Sequence, residues 1–209
     1  MLVISDIHSR TQQLKKLLTN IWDKKETIVF LGDFNDNELG TEDGYSFIEV
    51  FKLVKPLFDS NKSVGVHSNH SRRVITYLEG NKCGSAGAFK NTLAELNTLD
   101  QKTKDSILTW LKSMPYVLEL DNYVFAHAYP SYREHLAING PYSKADRVQW
   151  WLESNNNNYY CRNTDKTVIV GHYGQIVVTK NVIVLDTPKA LQQIAWYRTT
   201  TSEIGIVNL

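Results

Sequence analysis

The chain has 209 residues, 42% of them hydrophobic and 22% charged, which is enough to bury a core and matches soluble globular averages. Its 23 Lys and Arg against 22 Asp and Glu give a formal net charge of +1, which excludes an extended nucleic-acid surface. Two cysteines, Cys83 and Cys161, exclude a disulfide framework and a thiolate zinc site and read as reduced thiols. The start Met1-Leu2-Val3-Ile4-Ser5-Asp6 lacks a basic segment followed by a long apolar stretch, so no secretory leader is expected. No apolar run approaches the ~20 residues of a bilayer span. A cytoplasmic location without a membrane partner is therefore expected.

In chain order, Leu2–Ser5 predicts a buried strand, and Thr11 is placed to cap a helix carrying Leu14, Leu17, Leu18 and Ile21. Thr27–Leu31 predicts a second strand, so strand, helix and strand read as a parallel pair with a crossover. Phe47, Val50, Phe51 and Val54 predict a helix stopped near Pro56. Ser63–Val66 is a short apolar run, followed by a helix from Ser71 to Gly80 and a flexible loop over Cys83–Phe89. Two helical patterns meet near Asp100 and end at Pro115. Asp121-Asn122 and Lys180-Asn181 each sit between β-forming runs and predict hairpins. Ser143–Leu152 predicts a helix, Asn155–Asn158 a loop, and Thr167–Val170, Ile194–Tyr197 and Ile204–Val207 strands. The pattern is that of one α/β domain over 1–209, with a mixed sheet or two packed sheets flanked by helices.

The chemistry is carried by position. Five apolar runs end in loops bearing Asp, Asn or His: Asp6 with His8, Asp33 with Asp36, Asn69 with His70, then His127, then His172. Strand ends converge on one sheet edge, so these groups can meet in space. Oxygen and imidazole donors without thiolates suit manganese, iron, zinc or magnesium. A carboxylate such as Asp33 can bridge two ions, an apparatus suited to displacement at phosphate esters. The remaining histidines, His67 and His135, read as hydrogen-bonded core or loop residues.

The set resembles the calcineurin-like metallophosphoesterase superfamily, and within it the lambda-phage-type serine/threonine protein phosphatases. The stretches that carry the resemblance are Asp6-Ile7-His8-Ser9, Gly32-Asp33-Phe34-Asn35-Asp36-Asn37, Ser68-Asn69-His70-Ser71, His127-Ala128-Tyr129-Pro130 and Gly171-His172-Tyr173-Gly174, with Asp186-Thr187 after the last hairpin. It implies two mixed sheets packed together with helices outside. It also implies two divalent ions, with manganese expected. One would be held by Asp6, His8 and Asp33, the other by Asp33, Asn69, His127 and His172. His70 would be the general acid, oriented by Asp36, and a hydroxide bridging the ions would attack phosphorus in line.

Departures from the family pattern bear on the substrate. The family arginine after the second-motif Asp is Asn37 here, the next Gly is Glu38, and the Glu of Asn-His-Glu is Ser71. A second phosphate-binding arginine falls on Leu152 or Glu153. Both guanidinium clamps are absent, which should weaken monoester binding; Arg72, Arg73 and Arg147 are the candidates to replace them. The first expectation is a phosphomonoesterase, with phosphorylated protein as one possible substrate. The second is a nucleotide or dinucleoside polyphosphate hydrolase resembling the symmetrical diadenosine tetraphosphatases, for which Trp150-Trp151 offers base stacking. A third is a metal-binding relative without turnover.

Overall fold

The computed structural model describes residues 1–84, 87–128 and 165–209. The first sheet has the order β10-β9-β1-β2-β3, built from β1 (Leu2–Ile4), β2 (Ile28–Phe30), β3 (Ser63–Gly65), β9 (Ile194–Arg198) and β10 (Glu203–Val207). The second has the order β4-β5-β6-β8-β7, built from β4 (Val117–Leu120), β5 (Tyr123–Ala126), β6 (Thr167–Val170), β7 (Ile176–Val178) and β8 (Val182–Leu185). Each sheet is mixed. β1, β2 and β3 run parallel, β9 is antiparallel to β1, and β10 is antiparallel to β9. β5, β6 and β8 likewise run parallel, flanked by antiparallel β4 and β7.

Period-two alternation explains how the sheets pack. Val3, Val29, Leu31 and Ala195 face Phe125, Ile169, Ile183 and Leu185 in one inter-sheet core. The alternate residues Leu2, Ile4, Ile28 and Phe30 point the other way, into a core shared with the helices. These are α1 (Thr11–Asn20), α2 (Phe47–Asp59), α3 (Asn69–Leu78), α4 (Phe89–Asn97) and α5 (Gln101–Lys112). None of the described helices is long and apolar enough to cross a membrane.

Three local expectations are corrected. Thr11 is the first residue of α1 rather than its cap, and its hydroxyl donates to the carbonyls of Ser9 and Ser46. Pro56 lies inside α2, near its C-terminal end. The ring removes one donor, while Leu57 and Phe58 beyond it still pack on the core. α3 begins at Asn69 and not Ser71, because Ser68 Oγ accepts from Ser71 N and caps the helix two residues earlier. Asp100 caps α5 as the break in the helical pattern suggests. Cys83 is a free, half-buried thiol. The predicted helix Ser143–Leu152, the loop Asn155–Asn158, and Tyr129, Pro130, His135, Arg147, Trp150, Trp151 and Cys161 lie outside the described residues.

Candidate active site

The three parallel strands of each sheet deliver the site from their C-terminal ends. β1 leads to Asp6 and His8, β2 to Asp33 and Asp36, and β3 to Asn69 and His70. β5 leads to His127, β6 to His172 and β8 to Asp186. The loops are tied to one another: His8 N donates to Asp33 O at 2.7 Å, and Gly171 N to His127 O at 2.9 Å. His8, Ser9, Asp33, Asp36 and His172 all have positive φ, from +45° to +72°. Left-handed residues other than glycine gather where the surrounding structure holds a functional geometry in place. Two glycines permit the close approach. At Gly32 (φ +97°) a Cβ would stand 2.6 Å from Ser68 Cβ, and at Gly171 it would overlap Asp6 Oδ2.

Asp33 is the centre of the arrangement. Its Oδ2 lies 3.4 Å from His8 Nε2 and 3.8 Å from His70 Nε2, whereas Oδ1 lies 3.4 Å from His127 Nε2. The carboxylate therefore divides its two oxygens between two groups, His8–Asp33–His70 and Asp33–His127–His172, each with donor atoms within 4.8 Å of one another. Burial pushes its pKa up, but interaction with the neighbouring imidazoles of His127, His70 and His8 outweighs burial and holds the carboxyl well below the usual range. Asn69 Oδ1 stands 2.8 Å from His127 Nε2, and His172 Nδ1 stands 3.1 Å from that same nitrogen. Asp6 sits at the edge of the site, where its oxygens accept from His172 N at 3.2 Å and from Ser5 Oγ at 2.5 Å. Burial raises its pKa.

The donor chemistry suits divalent ions. His8 Nδ1 donates to the carbonyls of Asn35 and Asp36 (3.1 Å each), and His127 Nδ1 donates to Leu31 O (2.8 Å). Both rings thus turn Nε2 toward Asp33. Burial pushes the His8 pKa well below its ordinary value, and that of His172 to about 4, so both imidazoles are neutral at pH 7. His127 Nε2, Asn69 Oδ1, His172 Nδ1 and Asp33 Oδ1 converge, a set of nitrogen and oxygen donors that suits a divalent cation.

His70 occupies the first turn of α3. Its Nδ1 is 2.7 Å from Asp36 Oδ2, and Asp36 Oδ1 accepts from Thr92 Oγ1 at 2.6 Å and Asn35 Nδ2 at 2.7 Å. Burial lowers the His70 pKa, but Asp33 and the bond to Asp36 more than compensate, leaving it raised. Arg73 Nη1 lies 3.5 Å from Asp36 Oδ2 with its guanidinium over the Phe89 ring. Arg72 Nη1 lies 3.5 Å from the Tyr116 hydroxyl. Asn37, in the position of the family arginine, is buried and donates to His8 O at 2.8 Å and to Gln192 Oε1 at 2.9 Å. Ser71, in the place of the family Glu, accepts from Ser68 Oγ at 2.9 Å. Asp186 accepts from Gly174 N and Thr187 N, and burial with the nearby charges of Asp6 and Asp33 pushes it up to about 8.

Two residues are not visible from the motifs. Arg10 is fully buried, donating to Asp6 O at 2.9 Å and Gln193 O at 2.8 Å. Lys189 Nζ stands 3.3 Å from His70 Nε2. His67, expected as a core histidine, is one: its ring stacks on Tyr116 with centroids 4.8 Å apart. Burial lowers its pKa from 6.5 to about 4. A depressed pKa favours the neutral form in the fold. The associated stability is complete above about pH 6.5 and is lost as pH falls toward 4, by about 3 kcal/mol in all. In urea titrations of metal-free protein at pH 7.5 and 4.5, His67→Phe should lack most of that loss. An equal fall in both proteins would contradict it.

Imidazole, amide and carboxylate donors are thus grouped around one shared carboxylate where the strand ends of the two sheets meet. The chain belongs to the calcineurin-like phosphoesterase family, whose model matches residues 1–195. Over 115 residues it is 26% identical to the asymmetrical bis(5'-nucleosyl)-tetraphosphatase PrpE of Bacillus subtilis, covering 50% of this chain and 45% of that protein. The chain spans about half the length of the curated relatives it matches. Among solved structures, a Saccharomyces cerevisiae serine/threonine phosphatase similar to human PP5 superposes with a TM-score of 0.62 at 13% identity, covering 100% of this chain and 79% of that one. A cold-active protein-tyrosine phosphatase from Shewanella gives 0.58 at 15% identity, covering 99% and 80%. These superpositions bear on the fold alone.

Proposed function

We propose that the chain is a phosphoesterase that works at a two-ion centre built on Asp33. The observation that carries this reading is the division of the Asp33 oxygens between two groups of donors. Asp6, His8 and Asp33 would hold one ion, and Asp33, Asn69, His127 and His172 the other. Manganese suits this ligand set, as do iron, zinc and magnesium. Bound divalent ions supply Lewis acidity toward phosphoryl oxygens and toward water. His70 holds a proton at Nε2 for the departing oxygen, and Asp36 fixes the ring through Nδ1.

One reading of the substrate is a phosphate monoester, with a phosphorylated protein side chain as one case. A second reading, a nucleotide or dinucleoside polyphosphate, is favoured by the relatives that match in sequence. They carry the asymmetrical tetraphosphatase name rather than the symmetrical one. The test is a panel of p-nitrophenyl phosphate, phosphopeptides and diadenosine tetraphosphate, run on stripped and manganese-loaded protein. Stripping should lower turnover at least about 100-fold, with recovery on adding manganese. Full activity after exhaustive chelation would sink the proposal.

A further inference from the structure

The segment after β8 has a backbone fixed from several sides. The carbonyl of Lys189 accepts from Gln192 Nε2 at 2.9 Å, Gln192 N at 3.2 Å and Arg10 Nη2 at 3.5 Å. Gln192, at φ +50°, is itself gripped: its Oε1 accepts from Asn37 Nδ2 (2.9 Å) and Arg10 Nε (3.4 Å), its carbonyl from Gln13 Nε2 (2.9 Å). Arg10 and Asn37, both buried, thus build the platform that presents Lys189. The amide that replaces the family arginine is spent on this platform and does not extend toward a phosphate. The exposed Lys189 side chain leaves it toward the site, and no carboxylate among the described residues pairs with its ammonium.

An ammonium has three N–H donors and no acceptor, and with His70 protonated at Nε2 the 3.3 Å approach is no hydrogen bond, so all three can turn to an anion. Its position is informative. Nζ stands where a leaving oxygen must come if His70 is to protonate it. A serine or tyrosine side chain on the leaving side carries no charge until its bond to phosphorus breaks, so it offers the cation no anion to bind beforehand. A phosphate on that side does.

We propose that Lys189 is a substrate-recognition residue that binds the phosphate on the leaving side of the scissile bond and so favours polyphosphate anhydrides over simple monoesters. The inference rests on the reading of His70 as the leaving-side group. As the oxygen of water bonds to phosphorus, the bridging P–O bond breaks and its electron pair stays on the departing phosphate. That charge grows beside Nζ, while the proton released by water ends on the departing oxygen or in solvent.

The test compares wild type, Lys189→Ala and Lys189→Arg in the manganese-loaded state, on diadenosine tetraphosphate and p-nitrophenyl phosphate. Loss of the ammonium should lower kcat/KM on the polyphosphate by about 10–100-fold, at least ten times the loss on p-nitrophenyl phosphate. Lys189→Arg should restore most of it. Calorimetry with inorganic pyrophosphate should show weaker binding to Lys189→Ala at equal metal content, with a smaller change for orthophosphate. Equal losses on both substrates, or unaltered pyrophosphate affinity, overturn the proposal. A wild-type protein that cleaves monoesters but neither cleaves diadenosine tetraphosphate nor binds pyrophosphate overturns it too, while leaving the phosphohydrolase reading intact. Wild type that turns over nothing when loaded brings down that reading as well.

Discussion

Asp33→Asn should yield folded protein whose affinity for divalent metal falls by at least about 100-fold at both positions. Altering a mere hydrogen-bonding partner of a ligand costs about 10–100-fold, and removing a shared anionic ligand should exceed that. The two carboxylate oxygens serve different donor groups, one facing His8 and the other His127. A neutral amide offers one oxygen and no charge, so it cannot serve both. His8→Ala is the contrast, because its Nε2 faces Oδ2 alone, and it should leave close to one ion per chain. Metal stoichiometry after dialysis against trace manganese separates these outcomes, with circular dichroism confirming that each variant is folded. Two ions retained at normal affinity by the Asp33 variant would remove the bridging assignment.

The residues that gather at the site were legible in the sequence because each terminates a strand-like run, and parallel strands end on one edge. Their pairing was legible only through family resemblance; spacing alone does not say which oxygen of Asp33 faces which ring. Both sheets and their hairpins followed from apolar alternation and turn residues such as Asp121-Asn122. Arg10 was not legible. A charged residue before an amphipathic helix reads as exposed, yet its guanidinium is buried against carbonyls near the other end of the chain. No local pattern encodes that contact. Lys189 was hidden for the same reason, since its position comes from the Arg10–Gln192–Asn37 platform. The loss of an arginine at Asn37 was plain, but not that the asparagine would turn inward. The start of α3 was misjudged because Ser68 reads as part of a loop until its hydroxyl is seen to accept from Ser71 N. That shift matters, since it places Asn69 and His70 on a helical turn and not on a free loop.

His70→Asn should cost about 10²–10⁴-fold on an alkyl phosphate and far less on p-nitrophenyl phosphate, at unchanged metal content. An alkoxide is a poor leaving group without a proton, whereas p-nitrophenolate departs readily. The geometry suits a donor: Nδ1 is anchored on Asp36, and Nε2 points to the open side beside Lys189. Asp36 in turn is held by Thr92 and Asn35 on its other oxygen, so the ring cannot swing without breaking a buried network. Asp36→Asn should show the same leaving-group dependence more weakly, because it acts only through His70. The competing account begins from His70 Nε2 lying 3.8 Å from Asp33 Oδ2, close enough for His70 to serve as a metal donor. On that account His70→Asn strips an ion and slows every substrate alike. Leaving-group dependence and metal content, measured together on both variants, decide between them. Equal losses on the two substrates with depleted metal would make His70 a ligand, and Asp36 the residue that orients it.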